Sequence, residues 1–276
     1  MCRQWEQSLT AAVQLLQQTS LVRLELEGCS VGVSLPEGRQ LSVSQLARRV
    51  PAARSRLTTL GLRCAALSVN EGRPVTGAEL MPLVLRLFPR VSELSMAVKP
   101  GGAPLGDAAL LRFFLQCGES GQLRQLKLTC WRLQLAAPRA TLETKLRPLL
   151  RRLALGQLYL AGLKAVDAAE SRCEHLLVVA AIAHSRRLRL LSLAGMTSLL
   201  PSQATAIGQG IRDRFAGDQL MIYTNGWPYA SLRALRSVVE DSDRLMASYA
   251  GGPTGLYVVT RTDKPTKTAV ASSLTA

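Results

Sequence analysis

The sequence is poor in aromatic residues and in histidine, and its cysteines are scattered. Aromatic residues make up 4% of the 276 residues, and the two histidines are His175 and His184. The six cysteines lie far apart, and no two of them form a C-x-x-C pair. These counts give no support to a zinc site. We therefore predict no metal and no other cofactor.

Long apolar runs are missing as well. No stretch reaches 18 uninterrupted apolar residues, so we expect no membrane span. The first twenty residues lack the continuous apolar core of a signal peptide, and the sequence contains no Asn-x-Ser/Thr glycosylation site. We expect an intracellular protein, cytoplasmic or nuclear and not secreted, whose cysteines stay reduced.

Lysine is scarce although the chain is strongly basic. Six of the 34 basic residues are Lys and the rest are Arg, and 19 acidic residues leave a formal net charge of +15. This balance permits binding to nucleic acid, to an anionic membrane or to an acidic protein. Charge alone does not decide between these partners.

What the sequence has in abundance is leucine, in a pattern that recurs along almost the whole chain. The six-residue pattern Leu-x-x-Leu-x-Leu returns at steps of 36, 34, 32, 32, 33 and 29 residues. A period near 30 residues is typical of a solenoid, in which each unit buries its apolar face against its neighbours. The copies are Leu21-Leu24-Leu26, Leu57-Leu60-Leu62, Val91-Leu94-Met96, Leu123-Leu126-Leu128, Leu155-Leu158-Leu160, Leu188-Leu191-Leu193, a degenerate Gly217-Leu220-Ile222 and a fading Leu256-Val258.

Each copy predicts a short strand, and the segments between copies have helical spacing. Positions 1, 4 and 6 of each copy are expected to point into the core. Pro148 is expected to kink or shorten its helix, and residues 261–276 are polar enough to predict a disordered tail. The predicted helices are Gln4–Gln18, Val43–Ala52, Gly77–Phe88, Asp107–Cys117, Thr141–Leu153, Val166–His184, Gln203–Phe215 and Ala230–Ser248.

On these copies the chain resembles the leucine-rich repeat family, in its long, helix-containing form typified by ribonuclease inhibitor. The ninth position, often Asn or Cys in that family, is matched here by Cys29 and Asn225 and by no other copy, which predicts an irregular member. The resemblance implies an α/β fold: a leucine-rich-repeat solenoid (horseshoe) with a curved parallel sheet inside and helices outside. We expect one domain of about seven to eight repeats over residues 1–260. The family implies no single activity.

Positions 3, 5 and 7 of each strand should face the concave side, and their charges are balanced. These positions contain three basic residues, Arg23, Arg63 and Lys127, and three acidic residues, Glu25, Glu27 and Glu93, so that their charges sum to zero. This surface is therefore not expected to be a nucleic-acid channel.

A cluster of large side chains is predicted at the carboxyl end of the same surface. Tyr159, Met221, Tyr223 and Trp227 are its expected members, with Tyr229 next to them and Trp131 at the edge. Exposed Tyr and Trp dominate interface hot spots. The competing interpretation is that Trp227 and Tyr229 only cap the last repeats.

Arginines gather at the junctions that lead from helix to strand. Stacked repeats would align these pairs along one rim, within reach of a phosphate backbone. The alternative is that they stabilise helix carboxyl ends and keep a leucine-rich protein soluble. The ten residues are Arg54, Arg56, Arg86, Arg90, Arg151, Arg152, Arg186, Arg187, Arg212 and Arg214.

No arrangement of residues in the sequence suggests a catalytic centre or a small-molecule substrate. We predict a non-enzymatic protein-protein interaction scaffold that binds another protein through the concave face and the carboxyl-terminal aromatic cluster. The charged residues that set the electrostatic register are expected to be Glu25, Glu27, Glu93 and Lys127. The alternative is a ribonucleoprotein component that binds RNA through the arginine rim. A regulatory role known for some relatives, in ubiquitin ligation or GTPase activation, also stays open, with no recruiting segment or catalytic Arg to assign.

Overall fold

The chain is a mixed α/β protein with one large sheet. The computed structural model describes residues 22–27, 30–33, 56–63, 66–69, 84–85, 88–97, 104–165, 173–215, 217–243, 245–249 and 255–260. These residues contain a nine-stranded, mostly parallel sheet, two smaller sheets and five helices. No helix within these ranges is long and apolar enough to cross a membrane.

As far as β12, the strands of the large sheet follow one another in chain order, and a short strand of a smaller sheet follows each of the first five. The order is β1-β3-β5-β7-β9-β11-β12-β14-β13, and the two small sheets are β10-β8-β6 and β2-β4. The pairs from β1 through β12 are parallel, whereas β14 pairs antiparallel with both β12 and β13. The strands are β1 Arg23–Glu27, β2 Ser30–Val33, β3 Thr59–Arg63, β4 Ala66–Val69, β5 Glu93–Ala97, β6 Leu105–Gly106, β7 Gln125–Thr129, β8 Arg132–Gln134, β9 Gln157–Ala161, β10 Lys164–Ala165, β11 Leu190–Ser192, β12 Gln219–Tyr223, β13 Leu245–Tyr249 and β14 Gly255–Thr260.

The five helices lie between successive strands, and each packs against the next helix along the chain. Their positions confirm the helical spacing over most of this region. Bounds differ by a few residues, which is common at helix ends. The helices are α1 Asp107–Ser120, α2 Arg139–Arg152, α3 Cys173–His184, α4 Pro201–Arg214 and α5 Tyr229–Glu240.

Positions 1, 4 and 6 of the leucine pattern form the sheet side of the core, as predicted. In the copy that begins at Leu155, the residues Leu155, Leu158 and Leu160 are each at most 1% exposed. They belong to one continuous core that also contains the inward residues of the helices, such as Leu150 and Ile182. Burying each such side chain stabilises the fold by about 1.5–3 kcal/mol. The helices therefore cover one face of the sheet and leave the other face open.

The register of the seventh copy differs from the prediction by two residues. Leu190, at position 3 of its copy, pairs with Met221, which the pattern Gly217-Leu220-Ile222 would put at position 5. The amide of Met221 donates to the carbonyl of Arg189 at 2.8 Å, as the amide of Leu190 donates to Gly156 at 3.1 Å. The seventh copy therefore begins at Gln219.

With this correction, four successive turns align at position 8, directly after the strands. Cys130, Gly162, Gly195 and Gly226 occupy this position, with φ angles of 58°, 64°, 75° and 81°. A β-carbon on Gly195 would lie 3.4 Å from the amide nitrogen of Gly162. The left-handed conformation and the close stacking both favour glycine in this column of turns.

The carboxyl end of the described chain departs from the expected repeat. The predicted helix Ala230–Ser248 is wrong beyond Glu240, because Leu245–Tyr249 form a strand. Burial alternates there, with Leu245 buried and Met246 exposed, which is the period of a strand and not of a helix. The segment with Leu256 and Val258 is a strand, but it runs antiparallel to β12 and so is not an eighth parallel copy.

Other predictions have mixed outcomes. Helix α2 continues through Pro148 to Arg152, so the expected shortening is wrong. Of the predicted helix Gly77–Phe88, Val84 and Leu85 are helical and Phe88 is not. The predictions for Gln4–Gln18, Val43–Ala52 and the tail 261–276 lie outside the described residues.

Substituting Gly195 with Ala should destabilise the protein. The new side chain would force a left-handed residue against the neighbouring turn, so we expect the free energy of unfolding to fall by about 1–2 kcal/mol. Urea denaturation measures this change. Gly156→Ala is the matched control, because its added β-carbon would meet nothing closer than 3.8 Å. Equal losses in the two variants would contradict the aligned turns.

Candidate functional site

The surface left uncovered by the helices is built from rows of side chains that run across the strands. We call this surface, formed by the outward residues of the nine-stranded sheet, the open face. The parallel register places equivalent positions side by side, because each strand pairs with the next without a gap. One row contains Ser95, Lys127, Tyr159, Ser192 and Tyr223, and the adjacent row contains Glu93, Gln125, Gln157, Leu190 and Met221.

Charge is confined to one half of the open face. On the amino-terminal strands, Arg23 forms an ion pair with Glu25 at 2.5 Å, and Thr59 donates a hydrogen bond to Glu93 at 3.2 Å. From the amino-terminal strands toward the carboxyl-terminal ones, Lys127 of β7 is the last charged residue on the described part of the open face. The strands β9, β11, β12 and β14 carry only uncharged outward residues, so the carboxyl half is polar at its Gln residues and Ser192 and otherwise apolar or aromatic.

Tyr159 and Tyr223 lie near each other at the centre of this uncharged half. The hydroxyl of Tyr159 donates to the side-chain oxygen of Gln157 at 2.9 Å, which fixes the ring. Burial raises the pKa of Tyr159, and the proximity of Tyr223 and Glu93 raises it further. Tyr223 is 38% exposed. The structure therefore brings together Glu93, Tyr159 and Tyr223, three of the predicted contact residues, while Met221 is partly exposed and Lys127 lies in the row of the two tyrosines.

The antiparallel strands add residues to this half that sequence reasoning missed. Tyr257 pairs with Met221 across the sheet, and its hydroxyl donates to Gln219 at 2.8 Å. Met246, on the edge strand β13, is 56% exposed. A shallow cavity of about 380 Å³ is lined in part by Met246 and Tyr257. The sequence signal that could have identified Tyr257 is the alternation of apolar residues at Leu256 and Val258, which directs the residue between them outward.

Trp227 is not part of the exposed cluster, which corrects the prediction. Its side chain is 6% exposed, and its indole nitrogen donates to the carbonyl oxygen of Leu193 at 2.7 Å. In the corrected register Trp227 occupies position 9, which the pattern had given to Asn225. The residue is therefore a structural element of the turn, in line with the competing interpretation that it caps the repeats.

Trp131 occupies the same position of an earlier copy and is buried in the same way. It is 2% exposed, and its indole nitrogen donates to the carbonyl of Met96 at 3.3 Å. Met96 and Leu193 are both position 6 of the preceding copy. Two tryptophans in equivalent positions thus each donate an indole N–H hydrogen bond to the position-6 carbonyl of the preceding copy. The expectation that Trp131 lies at the edge of the exposed cluster is wrong.

The ten predicted rim arginines do not form one continuous row in the described chain. Arg54 and Arg86 lie outside the described residues. Arg212 pairs with Asp213 at 2.9 Å, and Arg214 pairs with Glu143 of α2. The position directly before the first residue of a copy is an arginine in three copies (Arg56, Arg90 and Arg187), but it is Gln122, Ala154 and Asp218 in three others.

Four of the ten arginines do come together, beside a fifth that the sequence did not single out. Arg151 and Arg152 end α2, Arg186 and Arg187 follow α3, and Arg124 precedes β7. They line a cleft of about 500 Å³ together with Gly121, Leu153, Ala154 and His184. We call this the arginine cleft. All five arginines are exposed.

Nothing in the described chain resembles a metal centre: no three His, Cys, Asp or Glu residues there are grouped to hold an ion. No protein-family model matches the sequence, and no curated protein is detectably similar to it.

Replacing Trp227 with Phe should lower stability. The change removes the N–H that bonds the Leu193 carbonyl and leaves this buried acceptor short of a partner, at a cost of about 1–3 kcal/mol. Thermal or urea denaturation measures this loss. Tyr229→Phe is the control, because Tyr229 is 79% exposed and its substitution should change stability by less than about 0.5 kcal/mol. An unchanged stability for Trp227→Phe would contradict a structural role for this hydrogen bond.

Proposed function

We propose that the chain is an irregular leucine-rich-repeat protein, with a solenoid architecture. The support is the register of the strands, since copies 31–36 residues apart bring equivalent positions side by side, and the last four copies repeat a left-handed turn at position 8. The family's Asn or Cys at position 9 is replaced by buried Trp131, Leu163, Met196 and Trp227. Two of these side chains bond the preceding strand's carbonyl, which is the kind of task that the family's polar residue performs.

We propose further that the protein is a non-enzymatic scaffold that binds another protein through the open face. The observation that carries this proposal is the uncharged half, where Tyr159 and Tyr257 are held by hydrogen bonds to Gln157 and Gln219. Rings that are already fixed lose little side-chain entropy on binding. Aromatic residues in such a patch are the type that supplies most interface energy.

The boundary between the charged and the uncharged half of the open face sets the orientation of the bound partner. Glu93 and Lys127 lie on neighbouring strands next to Tyr159, so a partner that covers the tyrosines also meets one acidic and one basic side chain. Charges at the edge of an interface contribute mainly to association rate and specificity. We expect the partner to present an apolar segment flanked by residues of both signs.

A photo-cross-linking residue at position 223 should capture this partner in cell extract, and the same partner should be captured from position 159. Position 229 is the matched control, since Tyr229 is exposed on helix α5 and not on the sheet. Capture of the same protein from 223 and 159 but not from 229 is the expected result. Equal capture from all three positions would contradict the proposal.

Tyr223→Ala should then weaken binding of the captured partner by roughly 1–3 kcal/mol, as for a hot-spot aromatic. Its stability should change by less than about 0.5 kcal/mol, because the side chain is partly exposed. Calorimetric titration and urea denaturation measure the two quantities. A large loss of stability with unchanged affinity would assign Tyr223 to the fold.

RNA binding through the rim is a second candidate, favoured by six exposed arginines. Arg56, Arg90, Arg151, Arg152, Arg186 and Arg187 make no ion pair within the described chain. Changing the last four to Gln should abolish binding of a generic labelled RNA at about 150 mM salt, if the rim holds phosphates specifically. Binding that disappears with salt equally in wild type and variant would show only the attraction expected of any +15 protein.

A further inference from the structure

The arginine cleft concentrates positive charge without any acidic side chain to balance it, which solubility alone does not explain. Five guanidinium groups line one cavity of about 500 Å³, and no acidic side chain is among its lining residues. Arg212 and Arg214, at the end of the next helix, each have a carboxylate partner. Like charges gathered without counter-charge destabilise a folded protein. An anion bound between them would remove this repulsion.

His184 gives a second, independent indication of a ligand. It lines the cleft and is only 7% exposed, yet neither of its ring nitrogens has a hydrogen-bond partner. The hydroxyl of Ser185, the next residue, is also buried without a partner. Buried polar groups are rarely left unbonded, because each such group costs free energy. A ligand with oxygen acceptors would satisfy the imidazole N–H.

The electrostatic environment of His184 is dominated by positive charge. Burial lowers the pKa of His184, and Arg147 and Arg151 of α2 lower it further, with a smaller contribution from Arg214 of α4. Glu143 acts in the opposite direction, but its carboxylate is already paired with Arg214. An anion in the cleft would reverse the balance and raise the pKa of His184.

We propose that the arginine cleft binds a compact anion that carries two or more phosphate groups. Guanidinium groups donate paired N–H bonds whose geometry matches phosphate oxygens. The carboxyl ends of α2 and α3 present carbonyls that disfavour an anion, so the arginines must supply the attraction. The ligand is compact because the basic surface is local: Arg212 and Arg214 beyond α3 have carboxylate partners, and Gln122, Ala154 and Asp218 stand where other copies have arginine before their first residue.

The proposal does not depend on protein binding at the open face, and it is tested with the full chain and sodium tripolyphosphate. Calorimetric titration at about 150 mM salt, where non-specific attraction is weak, should detect saturable binding. Changing Arg151, Arg152, Arg186 and Arg187 to Gln should weaken it roughly tenfold or more. The matched control removes the same charge from Arg56, Arg90, Arg112 and Arg233, four exposed residues outside the cleft, and should change affinity by less than about twofold.

If the fourfold variant fails to fold, the double variants Arg151→Gln/Arg152→Gln and Arg186→Gln/Arg187→Gln are titrated instead, each with a partial loss expected. Absence of tripolyphosphate binding by wild type, or equal losses in cleft and control variants, would overturn the proposal. So would an RNA oligonucleotide that binds through the cleft when tripolyphosphate does not.

The histidines supply an independent readout. The chain has only His175 and His184, so His184→Gln assigns the two imidazole signals in proton NMR spectra. Tripolyphosphate should raise the pKa of His184 and leave that of His175 unchanged. A pKa of His184 that does not move at saturating tripolyphosphate would contradict its place in the site.

Free phosphates and lipid headgroups share this chemistry, and flotation with vesicles distinguishes them. Vesicles of phosphatidylcholine with or without phosphatidylinositol bisphosphate serve as probes. Cleft-dependent binding to the phosphoinositide vesicles in addition to tripolyphosphate would identify a headgroup as the source, whereas tripolyphosphate binding without vesicle binding would identify a soluble ligand. Either result supports the phosphate site.

Discussion

The parallel register of successive strands is the constraint on which the other features of the structure depend. It is imposed by backbone hydrogen bonds in which the amides at positions 2 and 3 of one copy donate to a single carbonyl of the preceding copy, as Gly156 and Gln157 do to Arg124 at 2.8 and 3.1 Å. A slip of one residue would turn every leucine of a strand from the core to the solvent. Core burial and hydrogen bonding therefore select the same pairing.

Once this register is set, the remaining features align as a consequence. The left-handed turns stack because they follow their strands at one fixed position, and the residue after each turn is directed inward. Outward side chains form rows across the sheet, which is how Tyr159 and Tyr223 come to lie close together although they are far apart in sequence. The helix ends also meet at one edge, so that arginines of different copies line one cleft.

Much of this could be predicted from the sequence where the periodic signal was strong. Positions 1, 4 and 6 were correct in the five copies that begin at Leu57, Val91, Leu123, Leu155 and Leu188, because a period of two leaves little choice of face. The seventh copy failed because Leu220 and Ile222 fit two registers that differ by two residues and bury the same side chains. The decisive signal was Gly226, which lies 31 residues after Gly195 and marks the turn.

The other errors have a common origin in contacts that are distant in sequence. Burial of Trp227 depends on the carbonyl of Leu193 in the preceding copy, and residue type alone suggested an exposed aromatic. The strand Leu245–Tyr249 is stabilised by pairing with β14, so its helical spacing was misleading. Likewise, sequence placed arginines at junctions but could not show which have carboxylate partners, as Arg214 has in Glu143.

The distribution of charge separates the two candidate surfaces physically. The net charge of +15 does not reach the uncharged half of the open face, whereas five arginines concentrate at the edge where the strands begin. A surface without charge attracts little by long-range forces and selects partners by shape and apolar contact, and a cleft of guanidinium groups selects by charge. Because the helices cover the opposite face of the sheet and the cleft lies at their ends, one surface can be occupied without covering the other. A phosphate ligand in the cleft would also stabilise the packing of α2 against α3, since binding to the folded state alone adds to its stability.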